Sequence, residues 1–131
     1  MAITFFFSGS TSDDFDQSED RRNLLPPCPD SPNCVRFTTS YNEKPETVFN
    51  AAKSVIQDMG AVELKTLEEP LRLNAVFRVF IYKDDFIVLI EEEASASHLH
   101  IRSASRVGYS DLGVNRRRVK RFIRKLEKEL K

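Results

Sequence analysis

The sequence predicts an α+β fold, a two-layer sandwich in which two helices cover one face of a four-stranded antiparallel sheet. Three observations carry this reading. Apolar residues recur at helical spacing from Pro45 to Met59 and again from Val119 to Leu130. Between those segments lie four stretches of alternating apolar and polar residues. The connections between the four are short and turn-rich, which favours an antiparallel meander over parallel crossovers.

Residues 1–23 form the first unit, a flexible acidic tail. Asp13, Asp14, Asp16, Glu19 and Asp20 crowd a Ser-rich stretch with no sustained period, so it has too little apolar surface to order itself. The cluster Phe5-Phe6-Phe7 is its one apolar feature, suited to an edge strand or to docking on an apolar patch. Residues 24–131 are read as a single α+β domain, in which residues 24–44 are a proline-rich loop packing against the rest. Pro26, Pro27, Pro29 and Pro32 exclude both helix and central strand there.

Pro45 fits the first turn of a helix, where its missing N–H costs nothing, and Gly60 supplies the stop. Val48, Ala52, Val55, Ile56 and Met59 give that helix a core-facing stripe. The four strands are read over residues 61–68, 71–82, 86–92 and 98–107, with Pro70, Lys83-Asp84-Asp85 and residues 94–97 as the breaks between them. The last helix starts near Asp111 or Val114 and runs to Leu130, with Val119, Phe122, Ile123, Leu126 and Leu130 as its apolar stripe. Ser110 or Asp111 can cap it.

Charge narrows the function. Twenty Lys+Arg balance twenty Asp+Glu, which argues against a whole-protein electrostatic grip on nucleic acid or on an anionic membrane. The basic exterior of the last helix, Arg116 to Lys128, has no aromatic RNA-binding signature beside it. No apolar run is long enough to span a bilayer, and the start is a poor secretory signal. As written, the chain reads as soluble and cytoplasmic, with an organelle or secreted form open if a leader is missing.

The chemistry concentrates in Arg102–Arg118, RSASRVGYSDLGVNRRR. Strand alternation puts Ser103 and Ser105 on the side of Leu99 and Ile101, facing the helices, and Arg102 and Arg106 on the side of His98 and His100. Helical spacing places Asn115 in the sector of Val119, Phe122 and Leu126, with Arg118 on its flank. Buried polar groups left unpaired cost roughly 1–3 kcal/mol each, so these must satisfy one another, the turn backbone or a ligand. One account has Asp111 capping the helix and Asn115 tying down the turn. The other adds a small anion held by the helix N–H groups and by Arg106 or Arg118. Cys28 and Cys34, six apart, leave three readings open: reduced thiols, a disulfide, or a metal site completed by His98 and His100. No G-x-S-x-G, Walker or dinucleotide motif is present, so catalysis stays undecided, and no cofactor or metal is expected.

CPDSPNCV at 28–35, Asp84-Asp85 and RSASRVGYSDLGVNRRRV at 102–119 resemble the family catalogued as domain of unknown function 1499. The resemblance covers residues 24–130. It picks out Cys28, Pro32, Asn33, Cys34, Asp85, Arg102, Ser103, Ser105, Arg106, Gly108, Tyr109, Asp111, Gly113, Asn115 and Arg118, while Arg36-Phe37 departs from the small hydroxyl residues expected there. It implies no activity, and it does not settle the compartment, because similar proteins occur with and without lipoprotein or transit leaders.

Together these readings predict that the proline loop and the strand–turn–helix motif meet as the walls of one cleft. The cleft would bind a small anionic or amphipathic molecule through Arg102, Ser103, Ser105, Arg106, Tyr109, Asp111, Asn115 and Arg118, with Cys28 and Cys34. Two alternatives are an enzyme using the same cleft and an interaction module docking a protein or membrane surface through Val76, Phe80 and Tyr82. The protein partner, if any, is not legible.

Overall fold

The computed structural model describes residues 23–108 and 111–131. Residues 1–22 of the acidic tail, with the Phe5-Phe6-Phe7 cluster, therefore lie outside the described residues, as do Tyr109 and the cap candidate Ser110. The chain runs β1 (Cys34–Tyr41), α1 (Pro45–Asp58), β2 (Glu63–Glu68), β3 (Leu71–Val79), β4 (Tyr82–Glu93), β5 (Ala96–Ser105) and α2 (Val114–Glu129). All neighbours are antiparallel in one sheet of order β1-β5-β4-β3-β2. Both helices lie on one face of that sheet, α1 over β3–β5 and α2 over β1 and β5.

The sheet has five strands, one more than the four expected. The extra strand, β1, falls within the stretch expected to be proline loop, but the prolines end at Pro32. From Cys34 the sequence CVRFTTSY alternates, and Val35, Phe37, Thr39 and Tyr41 are all buried. β1 pairs with β5, joining Cys34 to Ala104 and Tyr41 to Ser97. That partner is remote in sequence, so no local turn signal announces the pairing.

The β3–β4 connection also differs from expectation. The turn is Phe80-Ile81, because Val79 pairs with Tyr82, while Lys83, Asp84 and Asp85 lie within β4. Asp84 is in phase with Phe86, Val88 and Ile90, whose side chains face the helices, and it is only 2 % exposed. The polar triplet reads as a turn locally. Tertiary pairing of Asp84 with a buried cation keeps it in the strand.

The core lies between sheet and helices. Phe86 makes edge contacts with Phe77 (ring centroids 5.7 Å apart) and with Phe122 (5.1 Å), locking β3, β4 and α2 together. Leu73, Val88, Leu99 and Ile101 from the sheet meet Val48, Ala52, Ile56, Val119, Ile123 and Leu126 from the helices. The opposite sheet face is partly covered too. Asn23 donates to Phe37 O and Thr38 Oγ1, Arg36 donates to Leu25 O, and Arg102 donates to Pro26 O. The segment before β1 thus lies across β1 and β5 and buries Leu25.

Candidate functional site

The end of the sheet where β5 passes into α2 carries the motif. Asp111 accepts from the N–H groups of Gly113 (2.8 Å) and Asn115 (2.9 Å), so a carboxylate closes the helix start at which free donors would otherwise point outward. Gly113 adopts a left-handed φ of 81°, a conformation that favours glycine, and the Arg117 guanidinium lies against it.

Asn115 is fully buried beneath this turn. Its Oδ1 accepts from Ser103 Oγ (2.6 Å) and from Arg118 (2.8 Å). Its Nδ2 donates to Asp111 Oδ2 (2.6 Å), Ser105 Oγ (2.9 Å) and Asn33 O (3.2 Å). Arg118 also donates to Ser103 Oγ (3.2 Å), pairs with Asp84 Oδ2 at 2.8 Å, and lies over the Phe77 ring at 4.9 Å. The result is a network in which both charges, Arg118 and Asp84, and every polar atom of the Asn115 side chain have a protein partner.

The proline loop reaches this network through Asn33, the residue after its last proline. Asn33 Nδ2 donates to Gly108 O at 2.6 Å, and Asn33 O accepts from Ser105 N at 3.0 Å as well as from Asn115. Loop and motif therefore meet, by direct hydrogen bonds. Cys28 and Cys34 are bonded to each other across an α-carbon separation of 5.6 Å, which pins the loop to the first residue of β1. Of the three readings of the cysteines, the disulfide is the one the fold adopts, and both thiols are consumed.

Arg102 and Arg106 face the other side of the sheet, as alternation requires. Arg106 grips Asp85 with two nitrogens, at 3.1 and 2.9 Å, and this partner holds its pKa above the usual guanidinium value. Burial, and then the charge of neighbouring Arg36, push Arg102 the other way. His98 and His100 share that face and engage Glu93 and Glu91, at 2.7 and 2.8 Å.

Two concave surfaces adjoin the motif. A small cleft of about 270 Å³ is lined by Val79, Tyr82, Asp84, Ser105, Val107 and Asp111, among others. A larger one, about 600 Å³, lies on the other side of Arg118. Its floor is Met59, Phe77 and Val114, and its walls carry Arg78, Arg117, Lys120, Arg121 and Arg124. Of this larger set only Arg118 belongs to the residues expected at a site. The sequence signal for the rest is weak, since Arg78 sits in a strand and Arg121 and Arg124 read as a solvated helix exterior. Asp84 is legible in principle, from its phase with Phe86 and Val88.

No curated protein matches the chain. Among solved structures, TTHA0849 from Thermus thermophilus aligns over 74 % of this chain and 96 % of its own, at 11 % identity and a TM-score of 0.38. Ara h 8.0201 aligns over 74 % and 93 %, at 10 % identity and a TM-score of 0.45. A model of the family described as "Protein of unknown function (DUF1499)" matches residues 24–126, which span both the proline loop and the motif. The chain belongs to the DUF1499 family.

Proposed function

We propose that the domain binds a small amphipathic anion in the cleft bounded by the end of α1, the end of β3 and the first turns of α2. The observation that carries the reading is the convergence of Arg78, Arg117, Lys120, Arg121 and Arg124 around an apolar floor of Met59, Phe77 and Val114. A volume of about 600 Å³ suits a small molecule. Clustered like charges cost stability unless an anion neutralises them. Arg78, Arg117 and Arg124 make no ion pair among the described residues. The apolar floor would take a hydrocarbon or ring, and the rim would take a phosphate or carboxylate in a bidentate fork.

The motif supports this cleft from behind. Arg118 forms the shared wall, held rigid by Asp84, Asn115 and Ser103. Binding without chemistry is favoured by two facts: the thiols are joined in a disulfide, and the Ser103 hydroxyl donates to an amide oxygen, not to a base. The disulfide also supports an oxidising working compartment over the reducing cytosol. No helix among the described residues is long and apolar enough to cross a membrane.

Calorimetric titration with hexyl phosphate, a soluble single-chain anion, tests the proposal. Wild-type protein should bind it, and Arg121→Glu/Arg124→Glu should bind about tenfold more weakly or worse, with its circular dichroism unchanged. Absence of binding by the wild type, or equal binding by the variant, overturns the reading.

A further inference from the structure

Two exposed positions at the motif end of the sheet carry residues that their backbone does not favour. Phe80, the first residue of the two-residue β3–β4 turn, has φ 58°, and Leu112, in the β5–α2 turn, has φ 56°. The left-handed region is sterically unfavourable for a bulky side chain, and glycine or asparagine normally occupies it. Both side chains are nonetheless almost fully in water, Phe80 at 87 % and Leu112 at 84 % exposure, with Ile81 beside Phe80 at 83 %. Burial among the described residues does not account for an apolar side chain at these three positions. Tyr82 and Val107, also exposed, join the two turns by lining the same small cleft, and Arg106 N donates to Lys83 O immediately behind them.

The residues behind the apolar tip are layered. Next along the hairpin is Tyr82, and then Arg78 and Lys83, which stand directly opposite each other across the strands. Like charges in that position repel. Among the described residues the one ion pair of Lys83 is with Glu63, at 3.9 Å, and Arg78 lines the cleft together with Arg117. The other carboxylates at this end are engaged: Asp84 by Arg118, Asp85 by Arg106, and Asp111 by backbone N–H groups. An apolar point, then a tyrosine, then a pair of cations follows the order in which a bilayer presents hydrocarbon, headgroup interface and lipid phosphate.

We infer that the Phe80-Ile81 and Leu112 tip docks on the surface of an anionic phospholipid bilayer, inserting its apolar side chains while Arg78, Lys83 and Arg117 meet lipid phosphates. This rests on the proposed anion cleft and names its source: the amphipathic anion is a lipid presented by a membrane. Docking is peripheral and salt-sensitive, since three side chains and a few cations supply a reversible anchor.

The test is flotation of the whole chain with vesicles of phosphatidylcholine alone and of phosphatidylcholine mixed with phosphatidylglycerol, beside the hexyl phosphate titration. The wild type should float only with the mixed vesicles, and less so at high salt. Phe80→Asn/Ile81→Ser/Leu112→Asn should lose about tenfold or more of that binding. It should still bind hexyl phosphate as the wild type does, and melt no lower, because asparagine tolerates the left-handed turn positions. Equal flotation by the variant, equal flotation on neutral vesicles, or no flotation at all overturns the inference, as does self-association of the wild type that the variant abolishes. Hexyl phosphate binding without flotation sinks membrane docking and leaves the cleft standing. Tip-dependent flotation without hexyl phosphate binding sinks the cleft instead.

Discussion

The two sides of Arg118 are built on opposite terms. On one side, Asp84, Ser103 and Asn115 surround its guanidinium, and every charge there has a partner of opposite sign or a directed hydrogen bond. On the other side, Arg78, Arg117, Lys120, Arg121 and Arg124 line a cavity over Met59, Phe77 and Val114. The buried side is rich in residues that resemble recognition chemistry, and the protein consumes their bonding capacity itself. The open side reads in sequence as a solvated helix exterior, and that is where cations gather around free space. Directional side chains crowded in one motif can be the frame of a site whose contacts come from less distinctive positions.

Removing one charge from the buried side should have the largest effect. Asp84→Ala should cost about 3–5 kcal/mol in denaturant unfolding, since it strands Arg118 in the core. Asp84→Leu/Arg118→Leu should cost clearly less than the sum of the two single substitutions, because no uncompensated charge remains. If Asp84→Ala melts like the wild type, Arg118 is not held as described.

The loop that completes the network is next. Cys28→Ala/Cys34→Ala should lose about 2 kcal/mol, the cost of freeing a short loop, with the fold retained. Amide exchange should then rise at Ser105, whose N–H is bonded to Asn33 O. Unchanged protection there would uncouple the loop from the motif.

A smaller change of opposite sign is expected at the far end of α2. Tyr41 is buried with a hydroxyl that has no hydrogen-bond partner among the described residues, and burial, helped by Glu127 and Glu43, pushes its ionisation far above the ordinary range. Tyr41→Phe should therefore raise stability by about 1 kcal/mol, read as a higher denaturant midpoint. A loss of stability would mean that the hydroxyl is in use.

The smallest effect belongs to the exposed pair beside the basic face. Lys125 donates to Asp58 at 2.8 Å, and that bond, with the Lys125 charge, holds the Asp58 carboxyl below its usual range. A depressed carboxyl stabilises above its unfolded pKa, and the contribution fades as pH falls through the folded one. Lys125→Met should thus narrow the stability gap from the wild type as the solution is acidified below the carboxylate range. A gap that stays constant with pH would exclude the pair as its source.

Much of the frame was legible from local periodicity. The apolar spacing from Val48 to Met59 and from Val119 to Leu126 is the geometry of a helix, and it dictates which faces turn inward. The same counting placed Asn115 in the core and set Ser103 opposite Arg102 across the pleat. The Phe80-Ile81 turn was hidden because Lys83-Asp84-Asp85 is the stronger local turn signal, and β1 because its partner lies far along the chain.

Whatever a residue owes to its neighbours within a turn or a strand is therefore readable from sequence: element type, inward faces, and the helix stop at Gly60. The pairing of Cys34–Tyr41 with β5, the burial of Asp84 against Arg118, and the cleft assembled from α1, β3 and α2 come from the folded chain alone. The physical reason is that a donor or a charge reads the same in sequence whether its partner is the protein or something outside it. Only folding shows which bonds are already made.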